Sequence, residues 1–336
     1  MDIKLPNDLS PMSIIRFSKF LKDVEEADEY VFDFGNQRWF PPFSMLYLAS
    51  TLQDFRNRKY TTPRSSVNHE NHSYASHMGF FRSFGLQHGR EPGEASGSTT
   101  YVPITEVKTI DLINEAMQLR EEVGTVIERH SSLLSSILTN HQSGNLKNTL
   151  TYSIREIIRN VFEHSEADSV SYCAQHWPTI EKVEVGIVDN GIGIHSSLTR
   201  NSTYDELEEH QAIQMALQPG VSGNPAAGAD SNDEWANSGY GLYMTKRICE
   251  NGGSFIVCSG GHGFELTNNT QTQFETDFTG TAIRLLMDTS KLTTLADSLA
   301  TFREEGIAAA GSIPGANAAS VSTSSMMLST DFDNDS

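Results

Sequence analysis

Val183-Glu184-Val185-Gly186-Ile187-Val188-Asp189-Asn190-Gly191-Ile192-Gly193 runs from β-branched, apolar residues directly into a carboxylate and two spaced glycines. The run of Val and Ile predicts a buried strand, and the glycines end it. A carboxylate at a strand's end can accept a hydrogen bond from an exocyclic amine, a contact that tells adenine from guanine. Gly191 and Gly193 let the backbone take positive φ and approach a flat ring. Alone, the stretch reads equally well as a strand that turns into a loop.

Two further stretches give it meaning. Upstream, the spacing of Leu146, Leu150, Ile154, Ile157, Ile158 and Val161 predicts a helix over 146–164. Glu156, Asn160 and His164 fall at i, i+4 and i+8 and share another face of it. A hard cation such as Mg²⁺ takes oxygen ligands and keeps waters and substrate phosphates, so the Asn160 amide oxygen is sufficient protein anchorage. Glu156, one turn earlier, could orient or deprotonate the group that attacks a γ-phosphate. A solvated face with Glu156 paired to Arg155 or Arg159 is the competing reading. Downstream, Gly239-Tyr240-Gly241-Leu242 opens a helix over 240–251 after the Gly- and Asn-rich segment 222–238. Free N–H groups at a helix start, with the helix dipole, bind phosphate oxygens.

The rest of the chain reads as α+β. Strands are expected at 169–174, 254–258 and 281–286, and a helix at about 204–217. With the helix 146–164 they predict a sandwich over 145–290, a mixed sheet with helices on one face. At the N-terminus, Ile14, Ile15, Phe17, Phe20 and Leu21 recur at helical spacing, Tyr30 to Phe34 form a strand, and Pro41-Pro42 opens a second helix. That order is a parallel crossover, so residues 1–104 are expected to form a small α/β domain that includes a strand at Tyr101–Ile104. One long connecting helix is expected over 105–144, with Ile110, Ile113, Met117, Val123 and Ile127 on its apolar side. A short helix over 291–305 and a disordered tail over 306–336, poor in periodicity, complete the division.

Composition narrows the function. A net charge of −19 argues against nucleic acid as a partner, since neutralising phosphates needs clustered Lys and Arg. Between Asn201 and Thr245 there are seven carboxylates and no Lys or Arg. No stretch approaches the roughly 18–20 apolar residues of a membrane span, and Met1 to Pro6 carry no apolar signal core. Cys173, Cys249 and Cys258 lie far apart with no CxxC pair, so buried thiols in a reducing cytoplasm are expected. His69, His72, His77 and His88 fit no tight metal spacing.

With these residues read, the chain resembles the GHKL-type ATPases shared by DNA gyrase B, the heat-shock chaperone ATPases, histidine kinases and MutL. The resemblance covers about 145–288. Glu156-x-x-x-Asn160, Asp189-x-Gly191-x-Gly193 and Gly239-x-Gly241-Leu242 match its three boxes in order, and Gly280-Thr281 matches its final Gly-Thr. It implies ATP and Mg²⁺ as ligands, with Asn160 on the metal, Asp189 on the adenine amine, and Thr281 on the adenine directly or through water. Gly239, Tyr240, Gly241 and Leu242 would lie by the phosphates, Glu156 would be catalytic, and 194–238 would be the lid. His130, followed by Ser and close to Glu156, lacks the setting of a histidine kinase's phosphoacceptor. The branch implied is the anti-sigma-factor kinases, with 1–104 faintly resembling their STAS partners. In those a Ser at the helix start accepts phosphate; here Pro41-Pro42 stands there and Ser44 is the nearest hydroxyl. The expectation is a regulatory protein acting on a protein partner, as a slow ATPase or serine/threonine kinase, or else as a non-catalytic ATP sensor. A homodimer is left open.

Overall fold

The alternation of strand and helix at the N-terminus folds as read. β1 (Asp2–Lys4), α1 (Pro11–Lys22), β2 (Tyr30–Asp33), α2 (Pro42–Arg58) and β3 (Arg64–Val67) build a parallel sheet in the order β1-β2-β3. Pro11 and Pro42 each stand in a first helical turn, where a missing N–H leaves no helical bond unmade. The short helices α3 (Ser73–His77) and α4 (Phe80–Ser83) follow, with Phe80 and Phe81 in the same core as Phe34. This computed structural model describes residues 1–223, 239–268 and 270–317, and the side chains of Glu163 and His164 lie outside that description. Among the described residues no helix is long and apolar enough to cross a membrane.

The larger sheet contains β4 (Tyr101–Lys108), β5 (Ser169–Trp177), β6 (Lys182–Asp189), β7 (Gly253–Thr267) and β8 (Thr270–Asp288), in the order β4-β5-β6-β8-β7. All four pairings are antiparallel, so the mixed sheet expected from sequence is corrected. Short connections after β5 and β7 return the chain alongside itself, which only an antiparallel pair allows.

Side-chain alternation assigns each face of this sheet. Val183, Val185 and Ile187 of β6, with Phe255, Val257, Ile283 and Leu285, face a helical layer. That layer comprises α5 (Thr109–Leu119), α6 (Val123–Leu138), α7 (Asn145–His164), α10 (Gly241–Gly252) and α11 (Leu292–Ala310). Two further helices, α8 (Gly193–Leu198) and α9 (Glu209–Ala216), lie between β6 and α10 in the chain. The opposite face holds small residues, Cys173, Gly186, Cys258 and Ala282, and α2 lies on it through Phe43, Leu46 and Tyr47. Helices therefore cover both faces rather than one.

The N-terminal unit shares a core with the sheet and is not a detached domain. Glu184, 1% exposed, accepts the Phe43 N–H at the start of α2 (2.9 Å) and the Arg284 Nε–H (2.8 Å). A buried carboxylate thus sits at the positive end of a helix and is matched by a guanidinium. Ser44 is buried in this junction.

Other boundaries also move. β4 pairs with β5 and belongs to the larger sheet, not to the N-terminal domain. The single helix expected over 105–144 is the end of β4 followed by α5 and α6, separated at Arg120, which takes a left-handed φ of 58°. The break turns α5 so that Leu112 and Ala116 are buried while Ile110, Ile113 and Met117 are exposed. The C-terminal helix runs on to Ala310, and residues 311–317 pack back, the Asn317 N–H donating to Gly220 O at 2.8 Å. That part of the expected tail is ordered, and 318–336 lie outside the described residues. Cys173, Cys249 and Cys258 are buried free thiols, with burial raising the Cys249 thiol to about 12.

Candidate functional site

The three stretches singled out in the sequence meet at one cleft of ≈ 880 Å³, its open mouth included. α7 contributes Ile157, Asn160 and Val161, the end of β6 contributes Asp189, and β8 contributes Thr281 and Ile283. α8 supplies Gly193, Ile194, Ser197 and Leu198, and the start of α10 supplies Gly239, Gly241 and Leu242. The floor is apolar because the inward positions of β6 and β8 are Ile187 and Ile283.

Asp189 is the one charged residue that lines the cleft among those described. Itself 4% exposed, it closes the β6 pairing opposite Thr281. Burial raises its carboxyl to about 6, against the pull of the Gly191 N–H at 2.8 Å and of Thr281. The loop after it is held from two sides: Ile192 N–H donates to Ser165 O (2.7 Å), and Ile194 N–H donates to Ser259 Oγ (2.8 Å). Gly193 takes φ +78° in this turn with Ser259 against it. From the far side, the Ser50 hydroxyl of α2 donates to Asn190 Oδ1 at 2.8 Å.

Seven of the ten predicted site residues line the cleft: Asn160, Asp189, Gly193, Gly239, Gly241, Leu242 and Thr281. Gly191 shapes the loop from behind, and a Cβ there would lie 2.1 Å from Ser165 O. Tyr240 turns away, its hydroxyl donating to Asn317 O at 3.2 Å. Glu156 is 1% exposed and lies beneath the start of α10, where a Cβ on Gly241 would come 2.3 Å from the Glu156 Cβ. It does not line the cleft.

Sequence reasoning missed Ser165, Ser197, Ser222 and the supporting Ser259. Ser165, one residue past α7, and Ser197, four residues past Gly193, lay near the motifs; Ser222 and Ser259 did not. Neither cation of α10 reaches the cleft: Arg247 pairs with Glu305 (2.7 Å) over the Phe302 ring, and Lys246 does not line it. His130 is packed inward, its Nδ1 2.5 Å from the Tyr172 hydroxyl.

Of the expected lid over 194–238, the described part is 194–223. α9 is tied to β7 by the Gly261 N–H donating to Glu209 Oε2 (3.0 Å). Tyr204 OH donates to Pro314 O at 2.9 Å. The C-terminal segment thus braces the described part. Residues 224–238 lie outside it.

Comparison with family profiles, with curated proteins and with solved structures finds no match to the chain in any of the three.

Proposed function

We propose that this cleft binds ATP with Mg²⁺ and that the chain is a GHKL-type, nucleotide-dependent regulatory protein acting on a protein partner. The observation that carries the reading is Asp189: a buried carboxylate at a strand's end on an apolar floor, the one charged group of the lining among the described residues. A single anionic acceptor in such a place suits an exocyclic amine on a flat ring. The residues fit the nucleotide. Ile187 and Ile283 offer an apolar bed for the ring, and Thr281 lies beside the acceptor. The start of α10, a helix of 12 residues, offers N–H groups to phosphate. No Lys or Arg among the described residues lines the cleft, so a divalent cation held by Asn160 would supply the positive charge the phosphates need.

Of the two function classes, the geometry favours an ATP sensor over an enzyme. Glu156, the residue a hydrolytic or phosphotransfer reaction would draw on, is buried under Gly241 rather than in the cleft. Catalysis is the second reading, and it requires α10 to move off α7.

Asp189→Asn tests the pocket. Loss of the anionic acceptor should weaken Mg·ATP by roughly ten- to hundred-fold, or about 1–3 kcal/mol, in titration calorimetry. Unchanged affinity in a folded variant would remove the basis for the assignment.

A further inference from the structure

β2, β3, α2 and the segment after α4 enclose a second cleft, in the N-terminal unit, which shares no lining residue with the first. Phe32, Phe34, Leu52 and Phe55 form its floor, with Phe84 and Leu86 at the side. Its volume, open mouth included, is ≈ 740 Å³.

Two guanidiniums stand in this aromatic cleft, those of Arg56 and Arg64. Arg56 donates to the Phe84 carbonyl at 3.2 Å, and Arg64 to the carbonyls of Arg56 (3.3 Å) and Lys59. Gly85 leaves the room that Arg56 takes, since a Cβ there would fall 1.6 Å from its Nη1. Neither arginine has a carboxylate within ion-pairing distance among the described residues. Their neighbours do: Arg58 pairs with Asp54 and Lys59 with Glu26. Burial and the like charge of Arg56 hold Arg64 below the usual arginine range. Two adjacent arginines left unmatched in a chain of net charge −19 form a local positive spot in an acidic molecule. Each guanidinium has five N–H donors, and the carbonyl contacts use only part of them.

We propose that this cleft is a binding site for an amphipathic carboxylate. An acyl or aromatic body would lie on Phe32, Phe34, Phe55 and Phe84, and the carboxylate between Arg56 and Arg64. Guanidinium forks match carboxylate geometry bidentately, which gives the head group its place. A purely polar anion would leave the partly exposed Phe84 and Leu86 at the side of the cleft uncovered, and a neutral hydrocarbon would leave the two charges unmatched. The proposal is independent of the nucleotide reading, because no residue is shared.

The experiment is titration calorimetry of the full chain with octanoate and with octylamine, repeated on Arg56→Gln, Arg64→Gln and the double variant. Octanoate should saturate a single site and octylamine should give no saturable heat. Each single variant should weaken octanoate by about tenfold or more, with thermal melting unchanged. No saturable octanoate binding, equal binding of octylamine, or a double variant that binds like the wild type would overturn the proposal. So would tighter binding by a peptide of residues 328–336, whose Asp331-Phe332-Asp333 would make the chain's own end the occupant.

Discussion

Asp189→Asn should make the ligand-free protein more stable at neutral pH, and the gain should vanish on acidification. The carboxyl is held at about 6 in the fold against an ordinary value of 3.8, and burial is the cause. The fold therefore binds the proton more tightly than the unfolded chain does. Stability tied to this group is fully present below pH 3.8 and declines as pH rises through about 6. Above that, the rise from 3.8 to about 6 corresponds to about 3 kcal/mol of lost stability, at 1.36 kcal/mol for each pH unit. Asn keeps an oxygen for the Gly191 N–H but carries no charge, so it should recover much of that loss. Urea unfolding of both proteins at pH 7.5 and at pH 4 measures it. The expected difference is up to about 3 kcal/mol at pH 7.5 and well under about 1 kcal/mol at pH 4. A variant no more stable than wild type at pH 7.5, or a difference that does not shrink with acid, would refute the account of a strained, buried acceptor. The same substitution is expected to weaken nucleotide, so the site would hold its carboxylate at a cost to the fold.

Two more outcomes are expected. Gly186→Ala places a Cβ 2.9 Å from the Phe43 backbone and 3.1 Å from Leu46 Cδ1, so α2 must lift from the sheet; chemical denaturation should show a loss of about 1–3 kcal/mol, and no loss would mean that α2 is not seated as described. Glu156→Gln, which keeps the volume under Gly241, should leave Mg·ATP affinity and any partner response intact if the chain is a sensor, and loss of the partner response with phosphate release abolished would favour the enzyme reading instead.

The cleft was largely legible because each part is a local pattern: a polar stripe on the helix α7, a carboxylate after a strand, a glycine pair before a helix. The supports were not. Ser259 acts on a loop 65 residues away in sequence, and nothing in its neighbourhood marks that contact. β4 reads from Tyr101 to Ile104 as a short apolar strand, and such a run says that the strand is buried without saying against which sheet. In sequence the β7–β8 ribbon shows only two short strands, 254–258 and 281–286, because Gly260, Gly261 and Gly263 interrupt its pattern. Its far end is steadied instead by α1, through Lys19 with Glu275 and Lys22 with Asp277 (2.6 Å). Residues 306–317 are rich in Ala and Gly and carry little periodicity, yet they pack, because Gly306 admits the Tyr243 ring and Gly220 admits Asn317. Close approach is a property of two surfaces, and one sequence segment shows only one of them.

The most direct measurement compares Mg·ATP with Mg·ITP on the wild-type chain at pH 7.5 by titration calorimetry. The two nucleotides differ at the purine 6-position, an amine in one and a carbonyl oxygen in the other. If Asp189 accepts from the amine, the carbonyl oxygen faces an anion with no proton between them, and ITP should bind about a hundred-fold more weakly. Asp189→Asn, whose amide can donate, should narrow that gap. Equal affinity for ATP and ITP, or binding of neither, would contradict the claim that this cleft is an adenine-nucleotide site.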